Sequence, residues 1–330
     1  MNYELMKKKT SDKIIEYIKS KRQVTANDLG NFLLISERAV FKQLSNLVAE
    51  NKLFKIGRPP KVFYAIKEDG EISAREIISD KKTKKLIDDN YLIITSSGER
   101  KEGAEGFAYW CRENNLPLNK TAEEYKKTLK KYQAFRRSGL LDGMYKFQTT
   151  FEKVNLNHIF YLDFYSIERF GKTKLGQLLL YAKQSQNKKL MRELADDIRP
   201  AVNKIIQKYH IDVIGFIPPT VKREIQFMKE LEKNLHPTIK RILITKIKTE
   251  IIVPQKTLNK LKDRIENAKR TIVVNEPGKY KTILLIDDAV GSGATLNETA
   301  AQIKQKGIAK TVIGLSITGS FKGFDVISEV

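Results

Sequence analysis

The feature that most constrains this chain is the run ILLIDDAVGSGAT at residues 283–295. Ile283, Leu284, Leu285 and Ile286 follow one another with no polar alternation. That is the pattern of a strand buried on both faces, which belongs to a parallel sheet covered by helices on both sides. The strand ends in two carboxylates, Asp287 and Asp288, and an extended backbone sends them to opposite sides. Gly291-Ser292-Gly293-Ala294-Thr295 follows, small enough for successive backbone N–H groups to turn inward as an anion nest. The Ser292 and Thr295 hydroxyls add donors, and a helix predicted from Leu296 aims the positive end of its dipole at the same spot. Paired acids beside an anion nest suit a ligand that carries both vicinal hydroxyls and a phosphate monoester.

Three other readings of the run are weaker. A nucleotide P-loop needs Lys-Ser or Lys-Thr after its second glycine, and a dinucleotide fingerprint puts its glycines before the acid. A purely structural strand-turn-helix gives no reason for Asp-Asp beside a glycine-rich turn.

From about residue 171 the pattern alternates between strands and helices, with strand candidates at 212–217, 241–244, 271–274, 282–287 and 311–316. Helices are predicted between them, at 190–209 and 296–306 among others. In such an open sheet a ligand sits at the carboxyl ends of the strands, where the acid pair lies.

The run resembles the signature of type I phosphoribosyltransferases. Three segments precede it in order: GQLLLYAKQSQNKKLMRELA (176–195), DVIGFIPPTVKREIQFMKEL (212–231) and PQKTLNKLKDRIENAKRTI (254–272). Together they resemble the ComF-type, competence-associated branch of that fold over residues 171–320. The resemblance implies phosphoribosyl pyrophosphate or a nucleotide as ligand, with Mg²⁺ accompanying the pyrophosphate. Asp287 and Asp288 would bind the ribose hydroxyls, and Gly291, Ser292, Gly293, Ala294 and Thr295 the 5-phosphate. Lys222 and Arg223 would face the pyrophosphate, and Gln255, Arg264 and Asn267 would belong to a hood over the site. One departure stands out. Where 6-oxopurine salvage enzymes carry an Asp that assists the base, this chain has Gly291, a loss that harms catalysis more than binding.

At the other end, Ile14, Ile15 and Ile18 recur at helical spacing, and Thr25, Asn27 and Asp28 can cap a second helix. Ser36 can cap a third, whose apolar face is Val40, Leu44, Leu47 and Val48. KLFKIGRPPKVFYAI then reads as two strands around a Gly57-Arg58-Pro59-Pro60 tip. This order, over residues 11–67, resembles a winged helix-turn-helix domain. The resemblance implies a double-stranded DNA partner, met by Glu37, Arg38, Lys42 and Gln43 from the third helix and by Arg58 and Lys61 from the wing.

Charge agrees with a polyanionic partner. Of the net +22, residues 1–66 hold 13 Lys+Arg against 6 Asp+Glu, and residues 171–330 hold 29 against 16. Residues 67–170 are nearly balanced, 19 against 17, so the excess lies at the two ends. Within that middle stretch, residues 90–103 read as strand, turn and polar loop, and TAEEYKKTLKKYQAFRRSG as a helix with Tyr125, Leu129, Tyr132 and Phe135 on one face.

No apolar run approaches the roughly 20 residues that span a bilayer, and MNYELMKKKT has no apolar stretch after its lysines, so a cytoplasmic protein without membrane contact is expected. One cysteine and three histidines offer no disulfide and no metal-ligand cluster. The expected architecture is α/β: a winged helix-turn-helix at 1–67, a mainly helical middle at 68–170, and a parallel-sheet, phosphoribosyltransferase-like domain at 171–330. The plan is similar to that of bacterial regulators of the purine-repressor type, which implies a ligand-responsive transcriptional regulator acting as a homodimer. The alternative is an active phosphoribosyl- or ribosyl-transferring enzyme working on a base, nucleotide or nucleic acid, in DNA uptake or phage defence among other settings.

Overall fold

The computed structural model describes residues 9–21, 23–50, 52–58, 60–66, 78–219, 221, 223–235, 239–247 and 253–320. They divide into two compact units, one within Met1–Asp80 and Ile93–Asn119, the other within Lys81–Leu92 and Lys120–Val330.

In the first unit, α1 (Thr10–Lys21) buries Ile14 and Ile18 and leads through β1 (Gln23–Thr25) into α2 (Ala26–Leu33). A capping box starts α2: the Thr25 hydroxyl accepts from the Asp28 N–H at 3.1 Å, and the Asp28 carboxylate accepts from the Thr25 N–H at 2.8 Å. Those bonds hold the Asp28 carboxyl below its ordinary range. Leu34 ends the helix in the left-handed region, and the Ser36 hydroxyl caps α3 (Glu37–Ala49). On α3 the residues Val40, Leu44 and Leu47 are buried, which is one helical stripe. They share a core with Ile14, Ile18, Leu29, Leu53 and Tyr64. Strands β2 (Leu53–Arg58) and β3 (Lys61–Ile66) form an antiparallel hairpin from Leu53↔Ile66 to Arg58↔Lys61, and β1 completes the order β1-β3-β2.

Next in the chain come α4 (Lys81–Asn90), the paired strands β4 (Leu92–Ile94) and β5 (Arg100–Glu102), and α5 (Gly103–Glu113), which buries Phe107 and Cys111. On α6 (Leu118–Gln133) Tyr125, Leu129 and Tyr132 are buried as the spacing predicts, whereas Phe135, just past the helix end, is half exposed. Then follow β6 (Arg136–Arg137), β7 (Leu140–Asp142), α7 (Met144–Thr150), β8 (His158–Phe164), and the short pair β9 (Ser166–Ile167) and β10 (Gly171–Lys172). The remainder is α8 (Lys174–Ser185), α9 (Lys188–Tyr209), β11 (Val213–Phe216), α10 (Phe227–Leu235), β12 (Lys240–Ile242), β13 (Ile244–Lys246), α11 (Leu261–Thr271), β14 (Ile272–Val274), β15 (Tyr280–Val290), α12 (Ala294–Gln305) and β16 (Ala309–Gly319).

The second unit is built on a seven-stranded sheet of order β12-β11-β15-β16-β8-β7-β6. From β12 to β8 every neighbouring pair is parallel; β7 and β6 add an antiparallel hairpin at one edge. The 68–170 stretch thus contributes helices and also three strands of this sheet. One face is covered by α8 and α9, with Leu178, Leu179, Met191, Leu194, Ile198 and Val202 in one cluster with Leu284, Ile286, Ile313 and Leu315. Ile283 and Leu285, pointing the other way, are buried as completely, as an unalternated apolar strand requires. The chain is therefore mixed α/β with a mostly parallel sheet. Among the described residues no helix is long and apolar enough to cross a membrane.

Candidate functional site

The site forms where one ladder outruns its neighbour. Strand β15 pairs with β16 as far as Val290↔Gly319, but its other partner, β11, pairs only to Phe216↔Ile286. Asp287 and Asp288 are left beside the opening, the crevice at the carboxyl ends of a parallel sheet. A cavity of about 220 Å³ occupies it, lined by both acids and by residues 291–295.

The loop is shaped by its second glycine and supported from behind. Gly293 lies at φ +83°, and a Cβ there would collide with the Phe147 ring of α7. Only glycine fits both the conformation and the contact. Lys146, its neighbour on α7, donates to the Gly291 carbonyl at 2.8 Å. Because O and H of a trans peptide point opposite ways, this turns the Ser292 N–H away from Lys146. The Asn297 side chain accepts from the Asn155 N–H at 2.8 Å and donates to the Lys153 carbonyl at 3.0 Å, fixing the first turn of α12. The start of that helix faces the cavity through Ala294 and Thr295, and the Ala294 N–H donates to the Ser292 hydroxyl at 3.3 Å.

The two carboxylates differ in environment. Asp288 accepts from the Lys183 ammonium of α8 at 2.7 Å. Asp287 accepts from the Asp288 N–H at 2.9 Å, and its carboxyl is pushed up to about 8 by burial and then by the charge of Asp288. Lys183 and Lys246 oppose that rise only in part. The pair thus offers one acid held by a lysine and one whose protonated form is favoured more than that of an ordinary carboxyl. Burial also holds the Lys246 ammonium below its ordinary range, with Asp287 pulling it back.

The structure brings Arg223, Gln255 and Arg264 to the same cavity as the acid pair and the loop. Arg223 donates to the Lys183 carbonyl. Gln255 donates its amide N–H to the Arg264 carbonyl at 3.0 Å, while its Oε1 is buried without a hydrogen-bond partner. Asn267, on α11, does not line the cavity, and its buried Oδ1 also has no partner. Lys222 lies outside the described residues. Lys183, Lys246, Lys146 and Phe147 were not singled out by sequence. Only Lys183 left a signal: it follows the fully buried Leu179 by four residues, on the inward face of α8.

Among the described residues no group of three or more His, Cys, Asp or Glu could hold a metal ion. Two carboxylates suit a cation that arrives already bound to pyrophosphate oxygens, the way Mg²⁺ is usually held, and do not suit a cation caged by protein alone.

In the first unit, Glu37, Arg38 and Lys42 are exposed on α3 and Gln43 is half-buried, opposite the buried stripe. Arg58 and Lys61 face each other in the register of the β2–β3 hairpin, and their side chains lie outside the described residues.

Compared with protein-family models and with curated proteins, the chain matches none.

Proposed function

We propose that this chain is a DNA-binding regulator whose second unit binds phosphoribosyl pyrophosphate or a related nucleotide and reports its level through DNA affinity. The observation that carries the reading is the convergence, on one cavity, of a strand-end acid pair, a glycine loop at a helix N-terminus, and the side chains of Lys183, Arg223 and Arg264. Acids for ribose hydroxyls, N–H donors for a phosphate and cations for phosphoryl oxygens match the parts of that ligand. Mg²⁺ would come with the pyrophosphate.

For the first unit, helices α1 to α3 followed by the β2–β3 hairpin fit a winged helix-turn-helix. Exposed Arg38 and Lys42 opposite a buried stripe fit a helix that meets phosphate and base edges in a major groove. A homodimer reading two half-sites is the natural assembly of such a regulator.

Sensing is favoured over catalysis by Gly291. No side chain there can carry a proton to or from a base, and among the described residues only Arg264 Nη1 lies within 4 Å of a Cβ position. The intact acid pair supports the second reading, an active phosphoribosyltransferase. The two are separated by incubating the protein with Mg²⁺, phosphoribosyl pyrophosphate and a panel of bases, and measuring ligand binding beside pyrophosphate release. Binding without release is the expected result. Release that Asp288→Asn abolishes would make the protein an enzyme.

A further inference from the structure

Among the described residues, Arg264 is a buried charged side chain with no carboxylate to neutralise it. It stands on α11 with 3% of its surface exposed. Its Nε donates to the Leu258 carbonyl at 2.6 Å, which fixes the plane of the guanidinium. The remaining fork lies toward the loop, with Nη1 3.7 Å from where a Cβ of Gly291 would stand. Among the described residues no carboxylate pairs with it. Burial pulls its pKa down and no acidic neighbour counteracts that. A buried cation without a counter-ion is costly, and a protein keeps one where a ligand supplies the missing charge.

The loop beside it has the opposite deficit. A phosphate monoester carries nearly two negative charges at neutral pH, and residues 291–295 contain no basic side chain. Lys146, behind the loop, is engaged with the Gly291 carbonyl. Backbone N–H groups and a helix dipole of about half a charge leave such a dianion under-compensated.

We infer that Arg264 is the cation of the 5-phosphate site, closing over the loop at Gly291 and binding the monoester through its free Nη fork, rather than a hood residue over the base or pyrophosphate. Gly291 then has a positive role: it leaves the space through which Arg264 reaches the loop. The inference rests on the reading of residues 291–295 as a phosphate site.

The test is calorimetric titration of the full-length protein with ribose 5-phosphate, phosphoribosyl pyrophosphate and inorganic pyrophosphate, each with a parallel melting curve. Arg264→Gln is expected to weaken the two 5-phosphorylated ligands by about 10- to 100-fold, the worth of a charge-assisted pair. Pyrophosphate, bound elsewhere in the cavity, should change by less than about threefold. Arg264→Lys, which keeps a cation but loses the bond to Leu258, should retain most of the affinity. Gly291→Asp should fold as well as the parent and lose the same ligands, because its carboxylate would occupy Arg264. If Arg264→Lys falls as far as Arg264→Gln, with both melting lower, the residue is structural and the inference is overturned. It is equally overturned if Arg264→Gln binds ribose 5-phosphate as the parent does, which leaves the loop reading intact. A parent protein that binds neither 5-phosphorylated ligand would overturn the loop reading itself.

Discussion

Lys183 Nζ stands 2.7 Å from Asp288 Oδ2, so an α8 lysine neutralises one of the two acids at the end of β15. Both side chains are largely buried, with 14% and 20% exposed. Removing the lysine alone leaves a largely buried carboxylate without its counter-charge. Lys183→Met is therefore expected to destabilise the second unit by about 2–4 kcal/mol, and adding Asp288→Asn should restore part of that loss. Urea unfolding of the parent, both single variants and the double variant measures the coupling. Additive losses would show that the pair contributes nothing.

Asp287 makes stability depend on pH in a definite direction. Its folded-state pKa, about 8, lies above the ordinary carboxylate value of 3.8. The protonated form is thus the one the fold prefers, and its contribution is fully present below pH 3.8 and lost as pH rises through 8. Asp287→Asn cannot ionise. The melting temperature of the parent should fall relative to that of Asp287→Asn between pH 5 and pH 9, read as the difference between the two curves. A constant difference across that range would place the Asp287 carboxyl in a solvated setting instead.

The two glycines of the loop should respond unequally to alanine. At Gly293 the left-handed backbone and the Phe147 ring both exclude a methyl group, so Gly293→Ala is expected to cost about 2–4 kcal/mol and to abolish ligand binding. At Gly291 a Cβ meets nothing closer than 3.7 Å among the described residues, so Gly291→Ala should change stability by less than about 0.5 kcal/mol. Thermal melts of the two variants test this, and equal losses would contradict the geometry of the loop.

On the first unit, Arg38→Ala combined with Lys42→Ala should weaken binding to duplex DNA. It should also lower the slope of log affinity against log salt by about 2, one counterion for each lost phosphate contact. Fluorescence anisotropy at several salt concentrations gives both quantities. An unchanged slope would remove α3 from the DNA interface.

What the sequence disclosed follows from how local the signals are. Strand β15, its acids and its loop were legible because one continuous run carries burial, charge and turn chemistry together. The buried stripe Val40, Leu44 and Leu47 was legible because helical periodicity is local too. Lys246 and the α7 pair Lys146 and Phe147 were not legible. They reach the acid pair or the loop only through strand order and long-range packing; Lys146 meets Gly291 across 145 positions of sequence. Strands β6, β7 and β8 were hidden for a related reason. The first two have only two and three residues, and all three are recruited by a sheet edge formed elsewhere in the chain. Arg264 was found as a residue but its setting was not, since nothing in sequence tells which way a guanidinium on an amphipathic helix turns.

The central claim is that ligand binding in the second unit is coupled to DNA binding in the first, and the most direct measurement is DNA affinity with and without saturating Mg²⁺–phosphoribosyl pyrophosphate. A coupling free energy of about 1–3 kcal/mol, a shift of about 5- to 150-fold in either direction, is predicted, and Asp288→Asn should remove it. The same DNA affinity at zero and at saturating ligand, in a protein shown to bind both, would contradict the account.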